Sequence, residues 1–141
     1  MFTTVLYAGL AFLGLWAIVN IAMWYKRRTY PKTVARYYFW QMNALWNSVN
    51  LAIAIISIGI VTAFYTKYAT DTGLQELQIK IIAVNILLDF VYIVVGLLLE
   101  NKGKKKEDVR FIGYGDAIQL QGAFLFCFDS VLALGLIIAT L

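Results

Sequence analysis

The stretch IKIIAVNILLDFVYIVVGLLL, Ile79–Leu99, decides how the rest of the chain is read. It is long enough to cross a bilayer core, which takes about 20 apolar residues in a helix. Near its middle it carries one aspartate, Asp89. An aspartate at the centre of such a helix costs about 2.5–3.5 kcal/mol on insertion scales, so it calls for a partner or a task. A second apolar run, from about Tyr114 to Ile138, holds Asp129 near its middle in the same way. Two further runs precede them, from about Phe2 to Tyr25 and from about Tyr38 to Tyr65. Backbone groups in lipid need partners within the chain, and the alternation of barrel strands is missing, so all four runs are expected to be helices. The expected fold is all-α: an integral membrane four-helix bundle with helices at about 2–25, 38–65, 79–99 and 114–138, forming a single domain over 1–141.

Composition supports this reading. Of 141 residues, 62% are hydrophobic and 14% charged, and the mean hydropathy is +0.75. A soluble domain of this size could not cover so much apolar surface. There is no histidine, which excludes bis-histidine haem, histidine-ligated copper or zinc, and a histidine base. The single cysteine, Cys127, excludes an internal disulfide and any CxxC motif; in its apolar run it reads as a small hydrophobe. Met1–Thr4 lacks the basic opening of a secretory signal, so the first run is expected to be a retained helix. With no nucleophile–base pair and no metal-ligand spacing, no enzyme activity and no cofactor are expected.

The charged residues set the orientation. Lys26, Arg27, Arg28, Lys32 and Arg36 follow the first run, and Lys102, Lys104, Lys105, Lys106 and Arg110 follow the third. Between the second and third runs only Lys67 and Lys80 stand, offset by Asp71 and Glu76. The positive-inside rule then places loops 26–37 and 100–113 in the cytoplasm and both termini outside, with a bacterial inner membrane as the expected location. Topology also accounts for the net charge of +4, so nucleic acid is not an expected partner. Gly113-Tyr114-Gly115 is expected at a loop-to-helix boundary, easing the turn. A shift of 78 residues lays Lys26-Arg27-Arg28 over Lys104-Lys105-Lys106 and Gln41 over Gln119, as two hairpin repeats of the same orientation would.

Polar side chains inside the runs line up. Asn43, Asn47 and Asn50 fall at i, i+4 and i+7, one narrow helical face. Asn85, Asp89, Tyr92 and Gly96 form a second stripe, while Gly115, Gly122 and Asp129 recur every seven residues with Gln119 nearby. Such amides pack helices together in lipid, and Asn20 needs no other explanation. The aspartates differ, because no lysine or arginine stands within a helix to pair with them. Each is then protonated, solvated in a cavity, or hydrogen-bonded to amides and Tyr92. The candidate intramembrane site is Asn43, Asn47, Asn50, Asn85, Asp89, Tyr92, Gln121 and Asp129, with the aspartates facing inward and held by Asn47, Asn50 and Gln121.

The stripe Asn85-x3-Asp89-x2-Tyr92-x3-Gly96 and the stretch Gly113-Tyr114-Gly115-Asp116 through Gln121-Gly122-x-Phe124-Leu125-x2-Phe128-Asp129 resemble a small family of bacterial four-helix membrane proteins of unknown function. The likeness lies mainly in 85–129 and implies four helices and membrane residence, with no assigned activity. Small multidrug transporters differ in placing their essential acid in the first helix, and fluoride channels in lacking a strong charge bias.

Three functions follow as expectations. The first is a non-enzymatic accessory or structural subunit, partnered by the lipid bilayer and by other membrane subunits or copies of itself. The second is a homo-oligomeric transporter or channel with Asp89 and Asp129 as proton or cation site. The third is a lipid- or quinone-binding protein with Trp40, Trp46, Phe124, Phe126 and Phe128 lining a groove.

Overall fold

The computed structural model describes Met1–Leu141. Four long helices, α1 (Phe2–Arg27), α2 (Ala35–Ala63), α4 (Thr72–Lys106) and α5 (Val109–Thr140), are joined by short connections, one of which holds a six-residue helix, α3 (Tyr65–Thr70). All four long helices are long and apolar enough to cross a membrane. Their ends follow local chemistry. α1 stops ahead of Pro31, whose ring disfavours helical backbone in the residue before it. Asp71 opens α4 by accepting from the Leu74 amide at 3.1 Å, and Asp108 opens α5 by accepting from the Arg110 amide at 3.0 Å. α4 ends in Lys104-Lys105-Lys106, whose charge suits a helix C-terminus, and Glu107 turns the chain with φ 54.

The third and fourth helices are longer than the expected 79–99 and 114–138. The expected loop 100–113 is helical except at Glu107 and Asp108. Hydropathy marks where a helix is apolar, not where it ends. Here the polar extension is held by the Glu100–Lys104 ion pair one turn apart and by the Asp108 cap. At 1.5 Å per residue α4 is about 52 Å long, well beyond the ~30 Å core of a bilayer. Gly113 and Gly115 accordingly lie inside α5 instead of easing a turn, and their role is close approach between helices.

The Asp108 cap makes a measurable prediction. Arg110 also donates to both Asp108 oxygens, Nε at 3.1 Å and Nη2 at 2.8 Å, and this pairing holds the carboxyl down at a pKa of about 2. A lowered carboxylate pKa contributes stability above the unfolded value, and that stability is lost as pH falls through the folded one. Hydrogen-exchange protection of the Arg110 amide should hold from neutral pH to about 4 and decline from there to about 2. Constant protection across that window would count against the cap.

α5 is the hub: it packs against α4, α2 and α1. α1 pairs with α2, and α4 leans almost wholly on α5. α2 and α5 run parallel, with the first turns of both in contact, where Gly113 meets Ala35 and Phe39. The α4–α5 seam rests on glycines spaced seven apart on each helix: Gly96 and Gly115 face each other, Gly103 meets Phe111 and Ile112, and Gly122 meets Asp89 and Ile93. A Cβ on Gly122 would stand 2.9 Å from the Asp89 carbonyl oxygen, and one on Gly96 2.7 Å from the Gln119 nitrogen. These backbones therefore touch as they do in small-residue helix pairs. The apolar core gathers at the end away from the basic loops, around Phe2, Leu6, Leu10, Val61, Leu132 and Leu136. The outer face of α4 stays bare, with Leu87, Phe90 and Leu98 exposed.

Candidate functional site

Between the apolar core and the basic end lies a polar layer. α2 supplies Asn43, Asn47 and Asn50, all buried on the face the spacing predicts. Asn43 is the centre. Its Nδ2 donates to Asn20 Oδ1 at 2.7 Å, and its Oδ1 accepts from Gln121 Nε2 of α5. Asn47 Nδ2 donates to the Asn43 carbonyl at 2.8 Å, and Asn50 Nδ2 reaches Gln121 Oε1 at 3.4 Å. The cluster thus ties α1, α2 and α5 together. Asn43 and Gln121 are also the pair that a 78-residue shift superimposes, and they meet in the structure.

This arrangement corrects one expectation. The amides serve one another and not the aspartates: Asn47 and Gln121 are used within the cluster, and only Asn50 reaches the carboxyl cavity as well. Asn20 packs helices together as expected: it is the α1 member of the cluster and donates onward to the Trp16 carbonyl at 2.9 Å. Its depth was the available signal. It precedes the basic end of α1 by about as many residues as Asn43 follows the start of α2.

Replacing Asn43 by alanine should cost about 1–3 kcal/mol, because Asn20 Oδ1 and Gln121 Nε2 lose their partner while still buried. Asn50→Ala, which removes one long hydrogen bond at the margin of the cluster, should cost less than half as much. Unfolding titrations of both variants in detergent check the ranking. Equal losses would show that the network is not centred on Asn43.

Further toward the apolar end, α4 and α5 bring Asp89 and Asp129 together. Both side chains line one cavity. Asp89 is 3% exposed and Asp129 8%. Asp89 Oδ2 has no hydrogen-bond partner. Beside the pair is a cavity of about 200 Å³ lined from all four long helices, by Leu13, Trp46, Asn50, Asn85, Tyr92 and Leu125 among others. No cationic side chain lines it. A hydrogen bond between two carboxyl groups requires a proton on one of them; without that proton, a cation between them would fill the same role. Gly122 permits this geometry, since its close approach carries α5 against the Asp89 backbone.

The remaining candidates are placed less centrally. Tyr92 is half-buried, with its ring edge-on to Trp46 at 4.9 Å and no hydrogen bond to either aspartate. Asn85 lines the cavity but is exposed on α4. The aromatic residues expected to share one groove do not gather. Trp40 lines a cavity at the basic end, Trp46 packs on Tyr92, and Phe126 is exposed. Phe124 and Phe128 instead stack with Phe12, and Phe124 with Trp16 at 4.0 Å.

Fold and site together define an all-helical protein in which four long apolar helices enclose a buried carboxyl pair and an amide cluster. The chain belongs to a family of unknown function, DUF6992, whose model matches residues 12–130. The match runs from α1 into α5, so it takes in the first two long helices as well as the stripes around Asp89 and Asp129. No curated protein and no solved structure matches the chain.

Proposed function

We propose that this chain is a small, non-enzymatic integral membrane protein that takes up a proton or a small cation at the Asp89–Asp129 pair. The observation that carries this reading is the unpartnered Asp89 oxygen, buried beside a second carboxyl and next to a cavity. Intramembrane acids of this kind mark ion and proton pathways. Membrane residence is supported by the bare apolar faces, above all that of α4, which water would not tolerate at this scale. The basic residues at the ends of α1 and α4 and the starts of α2 and α5 support a cytoplasmic placement of that end and external termini.

The test is proton and sodium flux into proteoliposomes bearing the wild-type chain or Asp89→Asn. Flux in the first and background in the second supports the proposal. The absence of flux, together with no cation- or pH-dependent change in stability, would sink it. A second reading, an accessory subunit in a larger assembly or a self-associating one, is favoured by Asn85. An amide left exposed at the edge of the carboxyl cavity is poorly matched to lipid and well matched to a neighbouring helix. Native mass spectrometry of the chain drawn from its own membrane separates the two: partners in fixed ratio support the subunit.

A further inference from the structure

At the basic end, a cavity of about 350 Å³ lies among Arg27 of α1, Ala35, Arg36, Phe39 and Trp40 of α2, and Asp116 of α5. Three of these residues are charged, and none forms an ion pair: the pairs in the molecule are Lys80–Glu76, Lys104–Glu100 and Arg110–Asp108. Arg27 is positioned by its neighbours. It donates to the Tyr30 hydroxyl at 2.7 Å and lies 5.6 Å from the Trp40 ring centroid, which leaves much of its guanidinium free. Arg36 is exposed and Asp116 half-buried. Glu100 and Lys104 both act on Asp116, and they are paired with each other. The start of α2, where Val34 offers no side-chain cap, opens at the same place.

We infer that this cavity binds the headgroup of an aminophospholipid, with phosphate between Arg27 and Arg36 and the primary ammonium on Asp116. The inference rests on the membrane reading above, which puts this end at headgroup level. Two guanidinium groups and one carboxylate complement a group carrying both a phosphate and an amine. Planar guanidinium forks suit phosphate oxygens, and the carboxylate accepts from an ammonium that still has its hydrogens. The volume admits on the order of ten water-sized groups, room for a phosphate and a short amino alcohol. Trp40 belongs at such a boundary.

The experiment is native mass spectrometry of the full chain in mild detergent with added phosphatidylethanolamine, phosphatidylglycerol or phosphatidylcholine of identical acyl chains. The wild type should retain phosphatidylethanolamine at least fivefold more than either of the others. Asp116→Asn should erase its advantage over phosphatidylglycerol, and Arg27→Gln with Arg36→Gln should lower retention of both at least tenfold. Equal retention of the three lipids by the wild type would overturn the site without any variant having to fold. So would displacement of the lipid by soluble phosphoethanolamine at equal concentration, which would assign the cavity to a free phosphate ester. Alkaline extraction of the chain from membranes separates the two levels. A chain washed off the membrane defeats the membrane reading, whereas a chain that stays inserted without headgroup preference defeats this site alone.

Discussion

Replacing Asp89 by leucine is expected to destabilise the protein by about 1–3 kcal/mol, and replacing Asp129 as well is expected to recover most of that loss. The single substitution leaves Asp129 buried with its carboxyl partner gone, and no cation lines the cavity to replace it. The double substitution removes both carboxyl groups and puts two side chains of similar size into a lining that already includes Leu13, Ile53, Leu88 and Leu125. Singles and double therefore form a cycle with a coupling of the same order, about 1–3 kcal/mol, as directly interacting residues show. Function should part from stability in the same set. The double leucine variant should insert and fold, yet lose proton or cation uptake by more than tenfold. If both single leucine variants insert, fold and function like the wild type, the pair is neither a structural nor a functional unit.

The second large effect is expected at Gly115. A Cβ there would stand 2.7 Å from the Gly96 carbonyl oxygen and 2.8 Å from the Glu100 Cα, backbone atoms that cannot rotate aside. Gly115→Leu must therefore push α5 off α4, at a cost of about 3 kcal/mol or more, the upper range for overpacking. Because α5 also carries Gln121 and Asp129, the shift should loosen the amide cluster and separate the carboxyl pair together. Gly59 is the control: a Cβ there meets nothing within 4 Å, so Gly59→Ala should be neutral or should stabilise α2 by up to about 1 kcal/mol. SDS titration of both variants in mixed micelles reads the difference. A Gly115→Leu midpoint equal to that of the wild type would mean that the helices are not held at backbone contact.

Much of this was legible in the chain. The four apolar runs mark the four long helices, because uninterrupted apolar length is itself the requirement for such a helix. The stripe Asn43, Asn47 and Asn50 is buried as its spacing predicts, since the periodicity of a helix fixes which side chains share a face. The seven-residue recurrence of Gly115, Gly122 and Asp129 likewise lies along one helix contact. Helix ends were less legible. Capping by Asp71 and Asp108, the Glu100–Lys104 pair and the six-residue α3 are polar and local, and apolar length does not report them.

The tertiary structure alone decided who meets whom. Periodicity names a face but not its neighbour, so no spacing in the chain could show that Asp89 and Asp129 line one cavity, or that Asn43 binds Asn20 and Gln121 while the aspartates receive none of the amides. Nor could it show that Asn85 is exposed while Asp89, on the same stripe, is buried. The same holds for Asp116, distant in the chain from Arg27 and Arg36 and brought to one cavity with them by the order of helices about α5. The physical reason lies in the composition. When side chains are apolar all round a helix, hydropathy does not distinguish the face that packs from the face left bare. Helix neighbours are then chosen by fit, here by glycine seams that let backbones touch, and fit is a property of pairs of surfaces that no single stretch of sequence contains.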